Sequence, residues 1–192
     1  MRSLSIGATG MMAQQQNVEV ISNNLANMNT TAFQRRRTEF HDLLYQNVRR
    51  VGSTSAEDGS VVPSGVQLGL GVKLAAVYRI HEQGNLSPTD NTFDLAIQGN
   101  GFFPITLPNG DTGYTRDGTF QLNGDGVLVT HDGYTVQPGI TIPANAVDVT
   151  INASGEVLAK IDGQIQLQNV GQLQLANFAN PAGLSAEGSN LY

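Results

Sequence analysis

Apolar side chains recur every seven residues at the start of this chain, at Leu4, Met11, Val18 and Leu25, with Ile21 between the last two. That spacing places them on one stripe of a helix over roughly residues 3–27, the kind of seam that packs against partner helices. Ser3 or Ser5 could cap its start, while Gly7 and Gly10 weaken its first turns by about 1 kcal/mol each relative to alanine. Only Arg2 and Glu19 are charged in this stretch, and the remainder is polar but uncharged: Gln14, Gln15, Gln16, Asn17, Ser22, Asn23. A helix with one greasy seam and an uncharged remainder is built to be surrounded, so assembly ranks ahead of catalysis.

The rest of the composition agrees. Charged residues make up 14% of the 192, well under the roughly 25% of ordinary soluble proteins, as expected where neighbours cover much of the surface. The net charge of −6 with two lysines argues against nucleic acid, which calls for a basic patch. Cysteine is absent, which removes disulfides and thiol chemistry and fits a chain that crosses membranes unfolded. No run approaches the roughly 20 apolar residues of a membrane span. Residues 4–20 are too interrupted for a cleaved secretory leader.

Three zones are expected: an assembly helix (1–32), a connecting region (33–80) and a β-rich domain (81–192), giving a mainly β protein with an N-terminal helical segment. In the connecting region, Phe33, Phe40, Leu44 and Val48 predict a second helix over about 32–49. A polar run from Gly52 to Ser60 follows as a flexible loop. Val66, Leu68, Leu70, Val72 and Leu74 then alternate as one extended strand, with Gly69 and Gly71 marking a close approach by another backbone or subunit. From 81 onward, runs at 93–97, 102–107, 119–122, 127–130, 134–136, 147–151, 157–161, 165–167 and 171–176 predict short strands. Asn109-Gly110, Asp117-Gly118, Asn123-Gly124, Asp125-Gly126, Asp132-Gly133 and Asp162-Gly163 separate them. Such dipeptides favour tight hairpins, since both residues tolerate positive φ, and together they predict a compact antiparallel domain.

Constellations that imitate sites fall away one by one. The Asp-Gly series lacks a calcium-loop pattern and reads as turns. Gly99-Asn100-Gly101 lacks the third glycine and the helix of a dinucleotide site and reads as a tight turn. His41, His81 and His131 form no ligand pair. Arg35-Arg36-Arg37 beside Glu39 reads as a salt-bridging group, and no serine has a nucleophile context. No catalytic, cofactor or metal residue is assigned.

Ser22-Asn23-Asn24-Leu25-Ala26-Asn27, followed by Thr30, Thr31, Ala32 and Phe33, resembles the N-terminal signature of the rod and hook axial proteins of the bacterial flagellum, which usually carry glycine where this chain has Ala32. Asp94-Leu95-Ala96-Ile97-Gln98-Gly99-Asn100-Gly101-Phe102-Phe103 and Tyr114-Thr115-Arg116-Asp117-Gly118-Thr119-Phe120 resemble the two β-domain motifs of that family. Asp42-Leu43-Leu44-Tyr45-Gln46, Pro63-Ser64-Gly65-Val66-Gln67-Leu68-Gly69, Val170-Gly171-Gln172-Leu173 and Gly188-Ser189-Asn190-Leu191-Tyr192 resemble its distal-rod members, so the likeness runs through the whole chain.

The resemblance implies a non-enzymatic structural subunit that polymerises helically into the torque-transmitting drive shaft. It further implies export without a cleaved leader through the flagellar type III apparatus, a periplasmic position, and contacts with proximal rod proteins, hook protein and the surrounding P- and L-ring proteins. No cofactor, nucleic acid or membrane insertion is implied. Residues 4, 11, 18 and 21–27 with Phe33 become an assembly interface, and the β-motifs become structural. The family also implies a C-terminal helix packed on the first, which these 192 residues do not include, so they are not expected to build a native rod by themselves. Proximal rod or hook membership is the nearest alternative. A ligand-binding β-domain with an oligomerisation helix is a more distant one.

Overall fold

In the computed structural model, which describes residues 2–52 and 64–192, the first element is a single helix, α1 (Arg2–Ala26). It ends where Asn27-Met28-Asn29 leaves the helical ladder: the Asn27 amide still reaches the Asn23 carbonyl, while the Met28 amide bonds only three residues back, to Leu25. The chain divides into two compact units, one of residues 1–29 and 34–80, the other of residues 30–33 and 81–192.

The helix expected over 32–49 does not form. Its place is taken by strands β1 (Arg36–Asp42) and β2 (Tyr45–Arg49). Thr38 and Phe40 are half-buried between exposed Arg37, Glu39 and His41, a period of two that the wider spacing of Phe33, Phe40, Leu44 and Val48 obscured. The extended run after residue 65 is also two strands, β3 (Val66–Gly69) and β4 (Val72–Arg79). β1 pairs antiparallel with β4 from Arg36↔Arg79 to Asp42↔Val72, and β2 pairs with β3 from Tyr45↔Gly69 to Arg49↔Val66. Between the pairs, the Leu43 amide bonds to the Gly71 carbonyl (2.8 Å) and the Leu70 amide to the Leu44 carbonyl (3.1 Å). The four strands thus make one long hairpin ribbon, broken at Gly71, where φ is +120°. The loop expected through Ser60 lies, from residue 53, outside the described residues.

In the second unit, β5 (Phe103–Thr106), β6 (Thr112–Thr115), β7 (Gln121–Leu122), β8 (Leu128–Val129) and β9 (Thr135–Val136) form an antiparallel sheet in the order β6-β5-β9-β8-β7. β10 (Ala146–Ile151), β11 (Glu156–Ile161) and β12 (Gln168–Gln172) form a second. One core serves both sheets: Ile105, Phe120, Leu128, Val136 and Val157 are fully buried, and Phe103 meets Phe120 edge to face at 5.1 Å. The glycines of four predicted turns have positive φ, Gly110 between β5 and β6, Gly126 between β7 and β8, Gly133 between β8 and β9, and Gly163 between β11 and β12. The runs at 93–97 and 165–167 are not strands, apart from one bridge between Asp94 and Thr119.

Candidate assembly site

Helix α1 presents two different stripes. Leu4, Met11, Val18, Ile21 and Leu25 are 71%, 70%, 58%, 55% and 66% exposed, so the seam read from the sequence faces away from its own unit. A second stripe, about a third of a turn round the helix at 3.6 residues per turn, holds Thr9, Ala13, Asn17 and Asn24, and Ala13 is the buried residue of the helix. This second stripe docks on the ribbon. The Val72 amide donates to Thr9 Oγ1 (3.4 Å), Thr38 Oγ1 donates to Asn17 Oδ1 (2.7 Å), and Asn24 grips the β1 backbone twice. Asn24 Nδ2 donates to the Arg36 carbonyl at 2.8 Å and its Oδ1 accepts from the Arg36 amide at 2.9 Å.

At the ribbon glycines the close approach is made by side chains of the same chain and not by another backbone. A Cβ on Gly71 would overlap Thr9 Oγ1, and one on Gly69 would touch the Tyr45 ring at 3.4 Å. Sequence reasoning missed this inner stripe because Thr, Ala and Asn carry no hydrophobic signal. Their own spacing, with Asn17 and Asn24 seven apart, was the available clue.

The remaining signature residues divide by role. Ser22, Asn23 and Ala26 are exposed, and Asn27 Nδ2 turns back to donate to the Asn23 carbonyl at 2.9 Å, closing the last turn of the helix. Ala32, where the family favours glycine, adopts φ +59°, and the half-buried Phe33 that follows donates its amide to the Thr30 carbonyl.

The two β-motifs come together around Arg116. Its Nη1 donates to the Gly101 carbonyl (3.0 Å), and its Nη2 donates to the Gly99 carbonyl and to Gln83 Oε1 (3.0 Å), which also accepts from the Gly99 amide. Gly99 and Gly101 have φ of +98° and +146°, which explains the glycines of that motif. Asp117 Oδ1 accepts from the Thr119 amide and hydroxyl. A Cβ on Gly118 would strike the Leu95 carbonyl, and the Gly118 carbonyl receives the Leu95 amide. Asn91 Nδ2 donates to Asp94 Oδ1 at 2.8 Å.

Phe102 and Ala176 exchange both backbone bonds, as do Tyr114 and Tyr192. Thr115 Oγ1 donates to the Asn190 carbonyl, while Asn190 Nδ2 donates to the Thr31 carbonyl. Phe102 is packed edge to face against Phe178 and Tyr192. The polar groups named here are occupied in hydrogen bonds within the unit, several of them between segments far apart in the chain. Among the described residues no group of three or more His, Asp or Glu is placed to hold a metal ion, and no helix is long and apolar enough to cross a membrane.

Residues 4–34 match the family model of flagella basal body rod proteins, and residues 96–159 match that of the flagellar hook protein FlgE/F/G D1 domain. The chain is 61% identical over 192 residues to the flagellar basal-body rod protein FlgG of Caulobacter vibrioides, covering 100% of itself and 73% of that relative. It is 38% identical over 196 residues to FlgG of Bacillus subtilis, with coverage of 100% and 73%. It is also 39% identical over 171 residues to the flagellar hook protein FlgE of Helicobacter pylori, over 88% of this chain but 23% of that protein. The chain belongs to the FlgG family of flagellar basal-body rod proteins and is a structural subunit of the distal rod.

Proposed function

We infer that the exposed stripe of α1 is the face by which copies pack into the inner tube of the rod, so that the subunit polymerises helically into the shaft that carries torque from motor to hook. One observation supports this above the others: five large apolar side chains line an exposed face of a helix of which another face is already docked. Burying each such side chain is worth roughly 1.5–3 kcal/mol before ordering costs, so five in register make a strong driving force for association. The ribbon bridges and stiffens neighbouring subunits, and the β-unit faces outward. Proximal rod proteins and hook protein meet the ends of the shaft, the P- and L-ring proteins surround it, and the subunit reaches the periplasm through the flagellar export apparatus.

Replacing Leu25 by Asp in the chromosomal gene tests the reading. Swimming and rods in electron micrographs of basal bodies should both be lost, while the purified variant keeps the thermal transition of its β-unit. Normal rods in this variant would refute the assignment of the stripe.

A further inference from the structure

The β-unit contains three Asn-Gly pairs, Asn100-Gly101, Asn109-Gly110 and Asn123-Gly124. Glycine has no side chain to shield its own backbone nitrogen, so in such a pair that nitrogen most readily reaches the carboxamide of the residue before it. All three asparagines are exposed; hydrogen bonding is what sets them apart. Asn109 Oδ1 accepts from the Asp111 amide at 3.1 Å and its Nδ2 donates to Asp111 Oδ2 at 2.7 Å, while the Gly110 amide donates to the Leu107 carbonyl at 2.9 Å. Asn123 Oδ1 accepts from the Asp125 amide at 3.0 Å and from the Val127 amide at 2.9 Å, and its main-chain carbonyl receives the Gly126 amide. Among the described residues, none is hydrogen-bonded to the Asn100 carboxamide or to the Gly101 amide.

Ring closure between an asparagine side chain and the next nitrogen needs Cγ to swing onto that nitrogen. Every bond that holds Oδ1, Nδ2 or the glycine N–H must be given up first. At the strength of ordinary hydrogen bonds, two of them slow the step about tenfold or more. Asn100 has none to give up. Beside it, Arg116 bonds to the Gly99 and Gly101 carbonyls, on either side of the Asn100–Gly101 peptide, and a nearby cation favours the deprotonated form of an acidic group.

We propose that Asn100 is a self-modifying site of the β-unit, which deamidates while the fold holds Asn109 and Asn123 back. The Gly101 nitrogen gives its proton to hydroxide and attacks Asn100 Cγ. The new N–Cγ bond closes a succinimide ring as the Cγ–Nδ2 bond breaks, and ammonia leaves with a proton from water. A second water adds to one ring carbonyl and opens the ring to aspartate or isoaspartate, with no change of oxidation state. Isoaspartate routes the main chain through Cβ, which adds one bond between the two carbonyls that Arg116 grips. The guanidinium cannot then keep both, and the turn at residues 99–101 loosens.

The purified chain is incubated at mildly alkaline pH with and without denaturing urea, and the three peptides are followed by mass spectrometry, each site's rate in urea serving as its own reference. Folding should slow Asn109 and Asn123 about tenfold or more and Asn100 far less. Asp111→Ala, which removes one bond from Asn109, should speed that site about two- to tenfold and leave Asn100 unchanged. Folding that slows Asn100 as much as the others, an earlier reaction at Asn109 or Asn123 in the folded chain, or an Asn109 indifferent to Asp111→Ala would overturn the assignment. The isoaspartate-bearing fraction should also exchange its amides at residues 99–101 faster than Asn100→Asp, whose main chain is unaltered. Equal exchange in the two would overturn the loss of the Arg116 grip.

Discussion

Replacing Gly71 by Ala should unfold the helix–ribbon unit more readily, for two separable reasons. Gly71 sits at φ +120°, where an L-residue is strained by about 1–3 kcal/mol. Its new Cβ would also overlap Thr9 Oγ1. Thr9 cannot rotate away freely, because that oxygen donates to the Ile6 carbonyl at 2.7 Å and accepts from the Val72 amide. Giving up such a bond costs about 0.5–1.5 kcal/mol. The two terms together predict a loss of about 2–4 kcal/mol, a large share of the stability of a unit this size, at roughly 0.05–0.15 kcal/mol per residue.

Urea unfolding followed at 222 nm reports α1, the only α-helix among the described residues, and therefore this unit. In a Thr9→Ala background the overlap with Oγ1 is removed, leaving the position-9 Cβ at 3.3 Å, and the backbone term remains. The cost of Gly71→Ala should then fall by at least about 0.5 kcal/mol, a coupling typical of residues in contact. A Gly71→Ala midpoint equal to that of the parent would refute the strain argument. An equal cost in both backgrounds would refute the contact.

Ala32→Gly should raise the urea midpoint. Left-handed backbone costs an L-residue about 1–2 kcal/mol and glycine returns part of that as chain entropy, so a gain of about 0.5–1 kcal/mol is expected; a lower midpoint would contradict it. Arg116→Lys cannot span the Gly99 and Gly101 carbonyls together with Gln83. Losing one charged hydrogen bond should cost about 1.5–3 kcal/mol, seen as a lower melting temperature and faster amide exchange at residues 99–101, and unchanged exchange would refute it. Tyr78 donates its hydroxyl to Glu39 at 3.0 Å, and that bond first, then desolvation and the carboxylate charge, holds its pKa above the ordinary 10.0. A raised folded pKa favours the neutral phenol, so the contribution is whole below pH 10 and fades as pH climbs through the raised value. Ultraviolet titration of Glu39→Gln should therefore show one tyrosine ionising at lower pH than in the parent.

What could be read from the chain depended on whether the relevant signal was apolar and local. The outer stripe of α1 repeats four times at one spacing, and the Asn-Gly and Asp-Gly turns announce themselves in two residues. The 36–49 segment was misread because Phe33, Phe40, Leu44 and Val48 are spaced by seven and four, as on a helix. The partner that makes β1 a strand, β4, begins thirty residues after β1 ends. Thr112–Thr115 escaped notice since Thr-Gly-Tyr-Thr offers one large apolar side chain, and it is held by pairing to β5 along its whole length. Asp117-Gly118 reverses no hairpin; Gly118 is needed for the close pass of Leu95. On α1 the exposed stripe was legible and the docked one was not, because docking there relies on single hydroxyls and amides.

The amides of α1 have a chemical reason that their polarity alone does not convey. To dock a helix against a strand backbone, a side chain at position 24 must face one carbonyl and one amide of the same residue, Arg36. A carboxylate could accept from the amide but would confront the carbonyl with negative charge. An ammonium could donate to the carbonyl but leave the amide unanswered. A carboxamide carries one acceptor and two donors on adjacent atoms, so Asn24 answers both without bringing a charge into the contact between helix and ribbon, where an unpaired charge is costly. Asn24→Asp should thus fail where isosteric replacement of a surface asparagine is usually mild. It should loosen the helix from the ribbon by about 1–3 kcal/mol through one lost and one repulsive contact, and do so less as pH falls and the carboxyl regains a proton to donate. Far-UV melts of the variant at pH 7 and near pH 3.5, each against the parent, measure this. If the deficit is no smaller in acid, the two-point grip on Arg36 is not what fixes α1 to the ribbon.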